Sequence, residues 1–254
     1  MTTSTASTAL SGAPGLRGRI TALRRETGRT LGDLFANRAW RRIAFFLLPY
    51  AGTIAGMDVA AHYGSVTGAL LPAQLYISQD GGFGEYLEYS LTAAMAGMLF
   101  VLWLRTRAMP YLGNALLFVY LTVDNSLQFH ERFGHWIAPA MPQDLPLRAN
   151  DCGEILLFAI IGAAWLVSLT VALLRSQLRP AAHALILAAG IVGAAFFGVA
   201  ADAATSWGKK TACRIAFEAW LEDGGEFAML IATFLACCAL FDIERRARAF
   251  AKIG

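Results

Sequence analysis

Carboxylates placed where lipid should be are the residues of this chain most able to do chemistry. In the segment FEAWLEDGGEFAMLIATFLACCALF, residues 217–241, Glu218, Glu222, Asp223 and Glu226 all fall in the first half of an otherwise apolar run. At about 100° per residue, Glu218, Glu222 and Glu226 share one narrow helical face, and Asp223 lies roughly 60° from Glu226. A carboxylate at the bilayer centre costs roughly 2.5–3.5 kcal/mol on insertion scales, so such residues face a bundle interior and mark a pathway, a relay or a site. Glu218, nearest the helix start, reads as an interfacial residue, which leaves Glu222 and Glu226 as the working pair.

A second set lies upstream, where Asp124, Gln128, Glu131 and His135 are spaced i, i+4, i+7 and i+11. A continuous helix would align all four on one stripe and turn His130 away from it. Asp124 and Glu131 would then face Glu222 and Glu226 across the bundle, with His130 or His135 adding a nitrogen. A third acid, Asp202, ends a stripe of small residues, Gly190, Ala194 and Gly198, that lets helices approach closely. Glu88, a turn inside its own apolar segment, is a further candidate. Acids at this density in a low-dielectric bundle need neutralising by divalent cations, by shared protons or by arginines such as Arg132, Arg148 and Arg214. Carboxylates from several helices with one or two histidines are the ligand types used for iron, manganese or zinc. The Glu-x-x-His pair of di-iron bundles is absent.

The elements that must carry these groups are membrane helices. The chain has 254 residues, of which 57% are hydrophobic and 15% charged, and a mean hydropathy of +0.51, which places it with multi-pass membrane proteins. Six apolar segments, residues 43–61, 86–104, 111–131, 154–174, 182–206 and 215–243, are each long enough for a hydrocarbon core about 30 Å thick. With six spans both termini share a side. Of 21 Lys and Arg residues, all but Arg132, Arg148, Lys209, Lys210 and Arg214 fall on that side, and the positive-inside rule makes it cytoplasmic. The acids are skewed the other way: of 18, only Glu26, Asp33, Asp242 and Glu244 stay cytoplasmic. The reading is an all-α polytopic bundle over residues 43–243 between basic cytoplasmic tails, 1–42 and 244–254, in a bacterial inner membrane. Its partners are the bilayer itself, anionic lipid headgroups against the tails, and an oligomeric or complex partner.

Other features have simpler accounts. Asp58 and His62, at i and i+4, could chelate a metal or form a hydrogen-bonded pair. Glu85 and Glu154 open helices, where acids offset the helix dipole. The Gly-rich stretch 64–84, free of Lys and Arg, is long enough for a lid or re-entrant segment. Cys152 and Cys213 both fall at outer helix ends, where a disulfide could tie two spans, while Cys237 and Cys238 read as packing residues. No signal peptide is expected, since no apolar run follows within the first 30 residues. No Gly-rich phosphate loop, G-x-S-x-G elbow or Lys deep in a span supports a soluble-type catalyst. Nucleic acid is not expected either, because topology accounts for the basic residues.

The segment LLFVYLTVDNSLQFHERFGHW resembles the Asp-then-His-Glu helix of a group of uncharacterised bacterial multi-pass proteins. In that group a later helix carries an acid after a small-residue run, as in GVAADAATSW, and a final helix opens with an element like LEDGGEFAML. The resemblance covers residues 85–243. It implies the set Asp124, His130, Glu131, Asp202, Glu222 and Glu226 and brings no activity with it. The expected function is a membrane-embedded metal-dependent enzyme acting on a lipid or apolar substrate. Glu88, Asp124, His130, Glu131, Asp202, Glu222 and Glu226 are its candidate ligands to Fe, Mn or Zn, and Asp124, Glu131 and Glu222 its candidate acid/base groups. The alternatives are a cation or proton transporter using the same acids and an accessory subunit of a membrane complex.

Overall fold

The computed structural model of the chain describes residues 15–142, 149–201 and 211–250, and every regular element among them is helical. In order these are α1 (Leu16–Ala36), α2 (Arg38–Thr67), a 3-10 turn (Ala73–Leu75), α3 (Phe83–Thr106), α4 (Met109–Leu127) and α5 (Phe129–Ile137). A second 3-10 turn (Ala138–Ala140), α6 (Ala149–Arg175), α7 (Leu178–Ala195), a π-helical turn (Phe196–Ala201) and α8 (Ala212–Phe250) complete the chain.

Helix boundaries follow local chemistry. Asn37 starts α2 by accepting the Ala39 N–H through its side chain at 2.6 Å, and Gly68, at φ +83°, ends it. Pro49 lies inside α2 and removes one backbone donor, while the Thr53 hydroxyl donates to the Pro49 carbonyl at 2.9 Å. Pro110 occupies the first turn of α4, where its missing N–H costs nothing.

Five helical stretches are long and apolar enough to cross a membrane: Arg38–Thr67, Phe83–Thr106, Cys152–Arg175, Leu178–Gly198 and Ala212–Ala247. The sequence suggests a sixth over residues 111–131, but that segment is not one helix. Gln128 takes the left-handed conformation, φ 51° and ψ 46°, so α4 stops at Leu127 and α5 restarts in a new direction. Asn114, Asp124 and Asn125 are polar residues within α4. The N-terminal region, expected as a tail, instead contains the 21-residue α1. It docks because Thr30 and Leu34 bury against the bundle, chiefly along α7. Arg19 donates to the Leu173 carbonyl at 2.7 Å and to that of Ser176 at 2.5 Å, satisfying acceptors left open where α6 ends.

Helices α3 and α4 form the most extensive pair; α8 runs through the centre against α2, α3 and α7, and α5 lies on α6. One core cluster joins Leu34, Leu99, Leu102, Tyr111, Phe118, Leu187 and Leu240 at the end of the bundle where α1 docks. A second gathers Ala51, Ile54, Leu91, Phe227 and Ile231 toward the other end, with Ile77 of the α2–α3 loop inserted among them. Small residues set the α7–α8 contact. A methyl group at Gly190 would lie 2.0 Å from the Thr233 Oγ1, and one at Gly193 2.3 Å from the Met229 Cε. The expected four-residue stripe therefore packs as a seam at Gly190 and Gly198, with the π turn shifting the register beyond Ala195.

Candidate functional site

The break at Gln128 creates the site. With α4 and α5 in different directions, Asp124 reaches the start of α5 and grips His130 at two points. One carboxylate oxygen accepts the His130 backbone N–H at 2.8 Å, and the other accepts from the imidazole Nδ1 at 3.0 Å. Asp124 is 1% exposed and the His130 side chain 25%. The ring lies against Phe158 of α6, centroids 5.2 Å apart. An imidazole that donates through Nδ1 presents Nε2 as an acceptor, fixed in tautomer and direction by the carboxylate behind it. The Asp124 hydrogen bond raises the His130 pKa above its usual 6.5 against the opposing effect of burial, and Asp124, Glu154 and Glu131 add charge in the same direction.

The wheel geometry expected from the sequence is thus replaced. Asp124, Gln128, Glu131 and His135 do not form one stripe, and the histidine turned away from Asp124 by a straight helix is the one it holds. His135 is exposed, with Nδ1 bonded to the Glu131 carbonyl at 2.8 Å. Gln128 instead donates to Asp80 of the α2–α3 loop at 2.6 Å.

Other acids surround the pair. Glu131 is half-buried on α5, and Glu85 at the start of α3 is within Coulomb range of it. Glu226 of α8 interacts with His130 and with Asp223. Glu88 of α3 interacts in turn with Glu226 and Asp223. The Glu226 carboxylate occupies the space a side chain would take at Gly198, its Oε2 2.5 Å from where a methyl carbon would stand. Glu222 is half-buried one turn before Glu226 on the same helix. Glu218 is buried and paired with Arg214 at 2.5 Å. Asp202 lies outside the described residues.

Glu154 belongs to this surround and was read from the sequence only as a helix-start residue. Its signal is a pair of glycines. A methyl group at Gly134 would stand 2.8 Å from the Glu154 Cγ, and one at Gly153 2.8 Å from the Gly134 Cα, so α5 and α6 cross in near backbone contact. Among the described residues, no three His, Cys, Asp or Glu side chains come together as a metal-holding group.

The α2–α3 loop closes over this end of the bundle. Asp58, 0% exposed on α2, accepts the Ile77 N–H at 2.9 Å, with the His62 Nε2 3.6 Å from the same oxygen. Tyr76 packs edge-on against His62 and donates to the Ala61 carbonyl at 3.1 Å. Glu85 accepts the Gly81 N–H. The Asp58 and His62 spacing therefore serves to anchor a loop. Cys152 and Cys213 are free thiols, so no disulfide joins α6 to α8.

Fold and site together define a helical protein with several candidate membrane spans and a carboxylate-oriented histidine ringed by acids near one end of the bundle. Residues 75–241 match the model of a domain of unknown function, DUF8692, and the chain belongs to that family. The match takes in the buried Ile77 of the α2–α3 loop, all of α3 to α7 and most of α8, hence Asp124, His130 and the acids around them; α1 and α2, with Asp58 and His62, precede it. No curated protein and no solved structure matches the chain.

Proposed function

We propose that this chain is a multi-pass protein of a bacterial inner membrane, with α4 as a sixth span and both termini cytoplasmic. Within it, His130 serves metal-dependent chemistry on a lipid or other apolar substrate. The observation that carries this reading is the two-point grip of buried Asp124 on His130. A histidine that ligates a metal through one nitrogen characteristically donates its other N–H to a carboxylate, which fixes its orientation and raises its basicity. In this reading Asp124 positions His130, and Glu131, Glu154, Glu222 and Glu226 supply acid/base groups or further donors, with Glu88 and Asp202 completing the acidic wall. The donor types fit Fe, Mn or Zn. Such an ion, when bound, would lower the pKa of a water or polarise a substrate oxygen. Because no three donors already converge among the described residues, the reading requires Glu226 or Glu154 to move toward the His130 Nε2 on binding.

A second reading, proton- or cation-coupled transport, is favoured by the mutual approach of Glu88, Glu226 and Asp223 within the spans. Like-charged carboxylates at close range share protons and can pass them on. Elemental analysis of the purified protein separates the two. Near-stoichiometric Fe, Mn or Zn, lost in His130→Ala and in Glu226→Gln, supports the metal enzyme. Its absence, with ion-dependent flux in liposomes that Glu226→Gln abolishes, replaces it with the transporter.

A further inference from the structure

At the opposite end of the bundle α2 opens with the sequence RAWRRIAFF, and its first turn contains no acid. Arg38, Arg41 and Arg42 are exposed there beside Phe45 and Phe46, which are 74% and 76% exposed, and these five residues line a groove of about 450 Å³. The two phenylalanine rings meet edge to face, 5.3 Å between centroids. The Arg41 guanidinium lies 5.7 Å from the centre of the Trp40 ring and donates to the Phe35 carbonyl at 3.0 Å, so it is held in place without being neutralised.

No ion pair among the described residues cancels the charge of these three arginines, and of the four acids at this end only Asp33, exposed on α1, is not paired with another basic residue. Glu26 pairs with Arg29, Asp242 with Arg245 and Arg246, and Glu244 with Arg179. The groove therefore joins three unneutralised guanidinium groups to a bare aromatic floor, at the level where the apolar run of α2 begins. A guanidinium binds a phosphate through paired, charge-assisted hydrogen bonds. Exposed phenylalanine next to it suits an acyl chain, not water.

We propose that Arg38, Arg41 and Arg42, with Phe45 and Phe46, form a binding site for one anionic phospholipid of the leaflet on the N-terminal side. The phosphate sits among the guanidinium groups and the first acyl carbons lie along the two rings. This is a defined site, distinct from the diffuse attraction of a basic segment to a charged surface, and it is independent of the chemistry at His130.

The test is lipid titration of the intact, detergent-purified protein followed by native mass spectrometry, with phosphatidylglycerol and phosphatidylcholine of identical chains as probes. An arginine near an anionic surface contributes roughly fivefold in affinity, so three give on the order of 100-fold preference for phosphatidylglycerol. The triple variant Arg38→Gln, Arg41→Gln, Arg42→Gln should bring the two lipids within about twofold of each other by removing that term. The variant Arg17→Gln, Arg24→Gln, Arg25→Gln removes the same charge from the exposed face of α1 and should keep the preference. Wild-type protein that binds both lipids alike overturns the proposal. So does equal loss in the two triple variants, which would mean diffuse attraction, or a preference that survives in the first. Phe45→Ser with Phe46→Ser leaves the charge intact and should shorten phosphatidylglycerol retention; unchanged retention overturns the acyl-chain contact.

Discussion

Replacing Asp124 with asparagine should unmake the site while leaving its shape. The amide oxygen can still accept the His130 backbone N–H, now 2.8 Å from Asp124, but the amide nitrogen faces Nδ1, 3.0 Å from the other carboxylate oxygen, as a second donor. The imidazole then loses its partner or flips its tautomer. A hydrogen bond to a charged group contributes about 1.5–3 kcal/mol. At roughly 2–4 °C per kcal/mol for a chain of this size, Asp124→Asn should lower the unfolding midpoint by about 3–12 °C. The pH dependence is the sharper readout. Folding raises the His130 pKa above 6.5, so the stabilisation is complete below 6.5 and is lost as pH climbs through the raised value. Midpoints followed by tryptophan fluorescence in detergent should therefore fall over that window in the wild type. In Asp124→Asn the fall should flatten, and His130→Gln should flatten it equally. A wild-type midpoint that rises across the same window, or an asparagine variant with the same slope and midpoint, refutes the Asp124–His130 pairing.

The remaining predictions concern what holds the site in place. Asp58→Ala leaves the Ile77 N–H of the α2–α3 loop unpartnered, a cost of about 1–3 kcal/mol, and should speed hydrogen exchange at Ile77 and protease cleavage of residues 68–82. Gly190→Ala forces a methyl group against Thr233 and should destabilise the protein by about 1–3 kcal/mol. Adding Thr233→Ala should recover most of that loss, and purely additive effects would contradict the close α7–α8 seam. Cys213 is exposed and free, so a membrane-impermeant maleimide should label it from the outer face of intact cells, while Cys237 and Cys238 stay unlabelled. Labelling of Cys213 only after the cytoplasmic face is opened would invert the proposed topology.

The long apolar helices were legible in the sequence because a bilayer permits few structures other than helices, and length and hydropathy then mark the five helices apolar enough to cross one. The acids of α8 stand out in the sequence for a related reason, since charge inside such an apolar run is costly. The junction at Gln128 was not. It carries neither the glycine nor the asparagine that usually signals a left-handed residue, and its conformation is held by what lies on either side: Asp80 on its side chain and Asp124 on the start of α5. A straight helical wheel therefore aligns His135 with Asp124 and turns His130 away, leaving either histidine open, whereas the resemblance pointed to His130. Glu154 was hidden for a related reason, because its nearness to α5 depends on two glycines in different helices meeting. Helix α1 was masked by arginines that suggest a solvated tail, although Arg19 spends its charge on the end of α6.

The α2–α3 loop has a mechanical meaning beyond covering the bundle. Its three tethers end on three helices: Asp58 on α2, Glu85 on α3 and Gln128 at the α4–α5 joint. Hydrogen bonds tolerate only a few tenths of an ångström around 2.7–3.2 Å, so a slide of about one ångström by any of these helices must be followed by the others or must break a tether. The loop thus works as a crossbar, making a displacement of α2 felt at Gln128, four residues from Asp124 and two from His130.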